Sequence, residues 1–174
     1  MPVRSIVVVP HAALSTKAKE IQEITDTIRA LARDMADTMY RAPGVGLAAN
    51  QVGVPVQLIV VDVAYAYQEP KDKRKNPIFI INPRICDFDG DCTREEGCLS
   101  LPEFTIEIAR SEVVRVEGID LQGNPLVIDA DDILARALQH EIDHLEGVTI
   151  LDYASSLKKG LYKRKLRKMA GRSA

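Results

Sequence analysis

The sequence predicts an α+β domain in which mixed or antiparallel strands surround one central helix, with a long helix before them and a basic helix at the C-terminus. Three observations predict it. Two segments repeat apolar residues at helical spacing, β-branched runs and an alternating stretch lie between them, and no repeat, low-complexity tract or linker divides the chain. At 174 residues the chain fits one domain and can bury roughly 70% of the surface its unfolded form exposes.

From Ser15 to Tyr40, residues Ile21, Ile24, Ile28, Leu31, Met35 and Met39 step by three or four, which marks the apolar face of a helix that Pro43 and Gly44 end. Val56 to Val63 and Ile78 to Ile81 read as buried strands, with a polar loop from Gln68 to Asn76 between them. Glu112 to Ile128 alternates apolar and polar residues around Gly123, Asn124 and Pro125, the pattern of a hairpin. The central helix is expected to start with Asp131 or Asp132 as N-cap and to run through Leu145, with Gly147 as terminator. Leu157, Leu161, Leu166 and Met169 among the basic residues allow a third helix, weakened at its start by Gly160.

With 46% apolar residues, 28% charged residues and a formal charge of -2, the composition is that of an ordinary globular protein. No apolar run approaches the roughly 20 residues of a membrane span, and Met1 to Val9 is too short an apolar stretch for a signal peptide, so a cytoplasmic protein is expected. Cys86, Cys92 and Cys98 are odd in number and form no C-x-x-C pair, which argues against a disulfide framework. Charge is uneven: Lys158 to Ala174 holds eight of the 23 basic residues and no acidic one, leaving the preceding chain at -10. Such a tail suggests a partner of its own, or simply a solvated helix.

His140, Glu141 and His144 form H-E-x-x-H inside the central helix, so two imidazoles at i and i+4 lie on one face about 6 Å apart, a spacing that suits one cation. Such a site needs a third protein ligand and a fourth position left open. Ile150 stands where a metzincin would place its third His after Gly147. Glu146 follows too closely to reach the same face, and Asp152 would require an abrupt chain reversal. The third ligand is therefore sought before the helix, among His11, the cysteines and several carboxylates. Cys98 is the best candidate, because Gly97 beside it permits close backbone approach to a metal. Cys86 and Cys92 lack that setting and are expected as small buried or partly exposed residues. Gly44-x-Gly46-x-x-Ala49 matches a dinucleotide fingerprint, but it follows a helix and precedes a strand, so no dinucleotide is expected.

Gly44-Val45-Gly46-Leu47-Ala48-Ala49-Asn50-Gln51, Glu96-Gly97-Cys98-Leu99-Ser100 and Gln139-His140-Glu141-Ile142-Asp143-His144 resemble, in order, the three motifs of the peptide deformylases. The resemblance runs from about Ile6 to Tyr153. It implies a hydrolase that removes the formyl group from the N-terminal methionine of newly made polypeptides and releases formate. It also implies one divalent metal, natively Fe(II), although a His2Cys set accepts Zn, Ni or Co as well. Glu141 is then the acid/base, and Gln51 and the Leu99 backbone N–H are the oxyanion donors.

Substrate-binding positions implied are Gly44, Val45, Gly46, Glu96 and Gly97, with Ile133 and Ala137 as candidate walls of an apolar methionine slot; Val45, Ile133 and Ala137 serve equally well as core residues. Arg110 and Arg136 are available to pair with Glu96 or Asp143, a surface salt bridge being the default expectation. The expected division is one catalytic domain over 1–157 and a basic helical tail over 158–174, with ribosome contact as the tail's candidate role. A zinc endopeptidase and a metal-stabilised binding module are the competing classes.

Overall fold

The computed structural model describes residues 3–69 and 73–172. Residues 1–2, the middle of the expected 68–76 loop and the last two residues of the tail lie outside them. The elements in chain order are α1 (Asp26–Arg41), β1 (Gly46–Ala48), β2 (Leu58–Val61), α2 (Val63–Tyr67), β3 (Ile78–Asp89), β4 (Cys92–Cys98), β5 (Leu101–Arg110), β6 (Val113–Ile119), β7 (Pro125–Asp131), α3 (Asp132–Leu145) and α4 (Ser156–Arg172). Strands β1-β2-β3-β6-β7 form an antiparallel five-stranded sheet, and β4 and β5 form a separate two-stranded ribbon.

Helix α1 starts at Asp26 and not at Ser15, because the backbone before it bonds elsewhere. Asn82 grips Ile21 through both its amide atoms, at 2.9 Å each. Lys19 bonds main chain to main chain with Pro55 and Gln57. Ile21 and Ile24 still pack into the cluster under α1, which explains why their spacing mimics a continued helix. Thr25 then caps the helix by accepting from the Ile28 N–H.

The continuous apolar run of β2 follows from its position between two helices. Leu58 and Val60 face Leu31, Met35 and Met39 of α1, whereas Ile59 and Val61 join Ala135, Leu138 and Leu145 of α3 on the opposite face. The predicted hairpin is β6–β7, although Pro125 lies in the strand and not in its turn. Neither β1 nor the β4–β5 ribbon was expected, since β4 is mostly polar and exposed and carries no apolar period. α2 was also missed within the segment after β2.

Helix α4 packs through Tyr162, whose hydroxyl donates to the Pro102 carbonyl at 2.9 Å and whose ring meets Phe104 at 4.7 Å. Of the leucines taken as its apolar side, Leu166 packs inward, but Leu157 and Leu161 are exposed. Tyr162 is the anchor that a leucine-based reading overlooked. No helix among the described residues is long and apolar enough to cross a membrane.

Candidate metal centre

Helix α3 buries Ala135, Leu138 and Leu145 against the large sheet, and this orientation turns His140 and His144 toward the ribbon and Glu141 toward Gly46 of β1. Asp131 is the N-cap residue, but its side chain makes no cap bond; Asp132 instead pairs with Arg94 at 2.8 Å. At the other end Gly147 has a φ of +75°. The Gly147 N–H donates to the His144 carbonyl and that of Val148 to the Asp143 carbonyl, which closes the last turn and fixes His144 at its end.

Cys98 sits at a register shift where β4 turns toward β5. Its Sγ lies 3.3 Å from His144 Nε2, which lies 3.2 Å from His140 Nε2, and the three ligand atoms fall within 4.8 Å of one another. The other candidates are elsewhere. His11 caps a short 3₁₀ turn, Cys86 is exposed on β3, Cys92 begins β4, Glu146 pairs with Lys17, and Asp152 accepts from Thr149. A Cβ on Gly97 would make only ordinary contacts at 3.7 Å or more. Close approach is demanded at Gly46 instead, where a Cβ would lie 2.5 Å from Glu141 Oε1. The first motif thus leaves room for the carboxylate of the third.

Glu96 is the hub behind His140. Its Oε2 lies 2.9 Å from His140 Nδ1, Arg110 binds it through Nε and Nη2 at 2.6 and 3.0 Å, and Arg136 Nη1 adds a third contact at 2.6 Å. Arg110 also donates to Asp143 at 2.8 Å, and Tyr153 donates to the same oxygen at 2.7 Å. The surface salt bridge expected here is therefore a buried network, with the Arg110 and Glu96 side chains only 4% and 5% exposed. It is buried because the ribbon folds over α3, and β4, the strand that carries Glu96, shows no apolar alternation.

Gln51 is buried on a 3₁₀ turn pinned by Asn50, whose Nδ2 donates to the Ala13 and Thr16 carbonyls. Its Oε1 accepts from the Ala48 N–H, so its amide hydrogens turn toward Ser100 Oγ at 3.3 Å and Cys98 Sγ at 3.5 Å. Ser100 is a partner the residue reading missed, although it closes the second motif. Val45, Leu99, Ile133 and Ala137 line one cleft of about 500 Å³ with Gly44, Gly46, Gln51, Glu96, Gly97, Cys98, His140 and Glu141. Leu101, Phe104 and Arg136 also line it, and none of these was expected as a wall.

Burial pushes the Glu141 carboxyl up to about 7, and its Oε2 has no protein partner. Burial alone would lower His140, yet its interactions with Cys98 and Glu96 outweigh it and raise the group well above the ordinary histidine range. Burial, then the charges of His140 and Arg110, hold His144 well below that range. Against burial, His140 and Arg110 bring Glu96 down to about 2, so it stays ionised. An ionised Glu96 accepting from His140 Nδ1–H keeps Nε2 on the side of His144, 3.2 Å from its Nε2, so a cation that displaces the Nε2 proton meets the lone pair there. One soft sulfur and two imidazole nitrogens converging beside a cleft fit a single divalent cation.

The chain resembles known proteins along nearly its whole length. Residues 3–160 match the family model described as polypeptide deformylase. A peptide deformylase of Thermodesulfovibrio yellowstonii is 46% identical over 158 residues, spanning 91% of this chain and 93% of that protein. One of Desulfosudis oleivorans is 47% identical over 171 residues, spanning 97% and 95%. The crystal structure of a peptide deformylase from Legionella pneumophila superposes with a TM-score of 0.89 at 38% identity, covering 99% of this chain and 98% of that one. That of Ehrlichia chaffeensis in complex with actinonin gives 0.88 at 39%, covering 97% and 98%. A metal-fitting His2Cys site and likeness along nearly the whole length lead to one conclusion: the chain belongs to the peptide deformylase family.

Proposed function

We propose that this enzyme removes the formyl group from the N-terminal methionine of nascent peptides, with Cys98, His140 and His144 holding one divalent cation, natively Fe(II). The observation that carries this reading is the convergence of three ligand atoms within 4.8 Å beside the buried Glu141 carboxylate. When bound, the cation supplies Lewis acidity that polarises a carbonyl and acidifies a water. Glu141 takes a proton from the attacking water and passes it to the departing amine, a task suited to a buried carboxylate whose Oε2 has no protein partner. Gln51 Nε2 and the Leu99 N–H donate to the oxygen on which negative charge grows. Val45, Ile133 and Ala137 form the apolar slot for methionine.

Formyl-Met, acetyl-Met and casein substrates test this function. Hydrolysis should be confined to the formylated peptide; comparable acetyl cleavage would point to a general deacylase, and casein cleavage to an endopeptidase. Elemental analysis of anaerobically purified protein checks the metal, iron being the expected one. For a partner, the exposed Lys163, Arg164, Arg167 and Lys168 of α4 suit ribosomal RNA phosphates. Replacing all four with Gln should abolish co-sedimentation with ribosomes at low salt while leaving peptide hydrolysis intact. Equal pelleting of the two proteins would end that proposal.

A further inference from the structure

The proposed ligands sit on two bodies that share no apolar core. The buried apolar residues of α3 belong to the cluster of the five-stranded sheet. Those of the ribbon, Leu101, Phe104 and Ile108, belong to a different cluster with Tyr162, which contains no α3 residue. Polar links run between the two. Gln139 ties α3 to Ser111 at the ribbon's exit, and Arg110 ties the end of β5 to Asp143. Arg136, one turn before His140, does more: its guanidinium reaches Glu96 at 2.6 Å, the Cys92 carbonyl of β4 at 2.5 Å and the Ile108 carbonyl of β5 at 3.2 Å. Those carbonyls lie on adjacent strands, since Cys92 pairs with Arg110 and Arg94 with Ile108. Glu96 stands two residues before Cys98 on the same strand.

We infer that Arg136 is a positioning residue that fastens the thiol-bearing ribbon to the imidazole-bearing helix and so sets the spacing of the sulfur from the two imidazoles. A planar fork with several donors can hold one carboxylate and two carbonyls at once, which a point charge cannot. The side chain is only 14% exposed, so water competes weakly for these bonds. Arg110, at the end of β5, also links the ribbon to α3 through Asp143, but only Arg136 reaches the Cys92 and Ile108 carbonyls as well as Glu96.

The inference rests on the metal-site reading, and Co(II) is the probe that separates the two. Wild-type protein should take up one Co(II) per chain and show a thiolate-to-cobalt absorption band. Arg136→Met should show a weakened or shifted band and should lose Co(II) to EDTA at least about tenfold faster. Arg136→Lys should fall between, since an ammonium restores the Glu96 contact alone. Arg115→Met, on the exposed outer face of β6, should match wild type. A merely structural role would lower the thermal midpoint of the metal-free protein without moving the band. An Arg136→Met protein with the wild-type band and Co(II) loss rate within about twofold would overturn the inference. Should that variant not fold, an unchanged band and loss rate in Arg136→Lys would do the same. A wild-type protein that binds Co(II) with no thiolate band would overturn the metal-site reading, and this inference with it.

Discussion

Helix α3 rests on the large sheet through Ala135, Leu138 and Leu145, all but removed from solvent, whereas the β4–β5 ribbon meets the same helix through Glu96, Arg110, Arg136 and Asp143. The two fastenings do different work. Apolar burial is strong and non-directional, so it places the helix and its imidazoles on the sheet. Charge-assisted hydrogen bonds are directional and short, so they set how the thiol meets those imidazoles. A three-ligand site assembled from two bodies needs both.

The comparison breaks most visibly at Arg110→Met. It leaves the buried Glu96 and the half-buried Asp143 without their shared arginine, and loss of one member of a buried pair such as Arg110–Glu96 costs about 3–5 kcal/mol. Urea unfolding of the metal-free protein should reveal that loss, and a change under 1 kcal/mol would mean that water replaces the guanidinium. Leu138→Ala, on the apolar side, should cost about 2–5 kcal/mol through cavity formation while leaving the Co(II) band unmoved. A shifted band there would show that packing also tunes ligand geometry.

Acid offers a gentler way to sharpen the contrast. The Glu96 carboxyl is held at about 2 against an ordinary 4.5, so its contribution is fully present above 4.5 and fades as pH falls toward 2. Thermal midpoints of wild type should drop across that window, and Glu96→Gln should flatten the drop. A parallel decline in both proteins would assign the acid sensitivity to other carboxylates. Smallest of all, breaking the exposed Arg115–Asp129 pair by Arg115→Met should leave the thermal midpoint within error, as expected of a solvent-screened contact.

The same division explains what could be read before the structure. Features set by local chemistry were legible: the i, i+4 imidazoles, the Gly147 terminator and the turn of the β6–β7 hairpin. So was the candidate thiol, because the motif around Cys98 is contiguous. What depends on the ribbon's placement was not legible. Strand β4 reads Cys-Thr-Arg-Glu-Glu-Gly-Cys, with no apolar alternation to announce a strand or its buried Glu96. Helical spacing misled at Ile21, whose backbone Asn82 claims, and at Ile24, which packs against the same cluster from outside the helix. Leu157 and Leu161 misled in the opposite sense, since Tyr162 holds α4 in place.

The central claim is that Cys98, His140 and His144 hold the cation while Glu141, beside them, only moves protons. Its most direct test is metal content measured alongside formyl-Met hydrolysis in Glu141→Ala. The account predicts about one cation per chain and a rate reduced by roughly 10²- to 10⁴-fold. A variant that loses its metal, or one that keeps a rate within about fivefold of wild type, would contradict it.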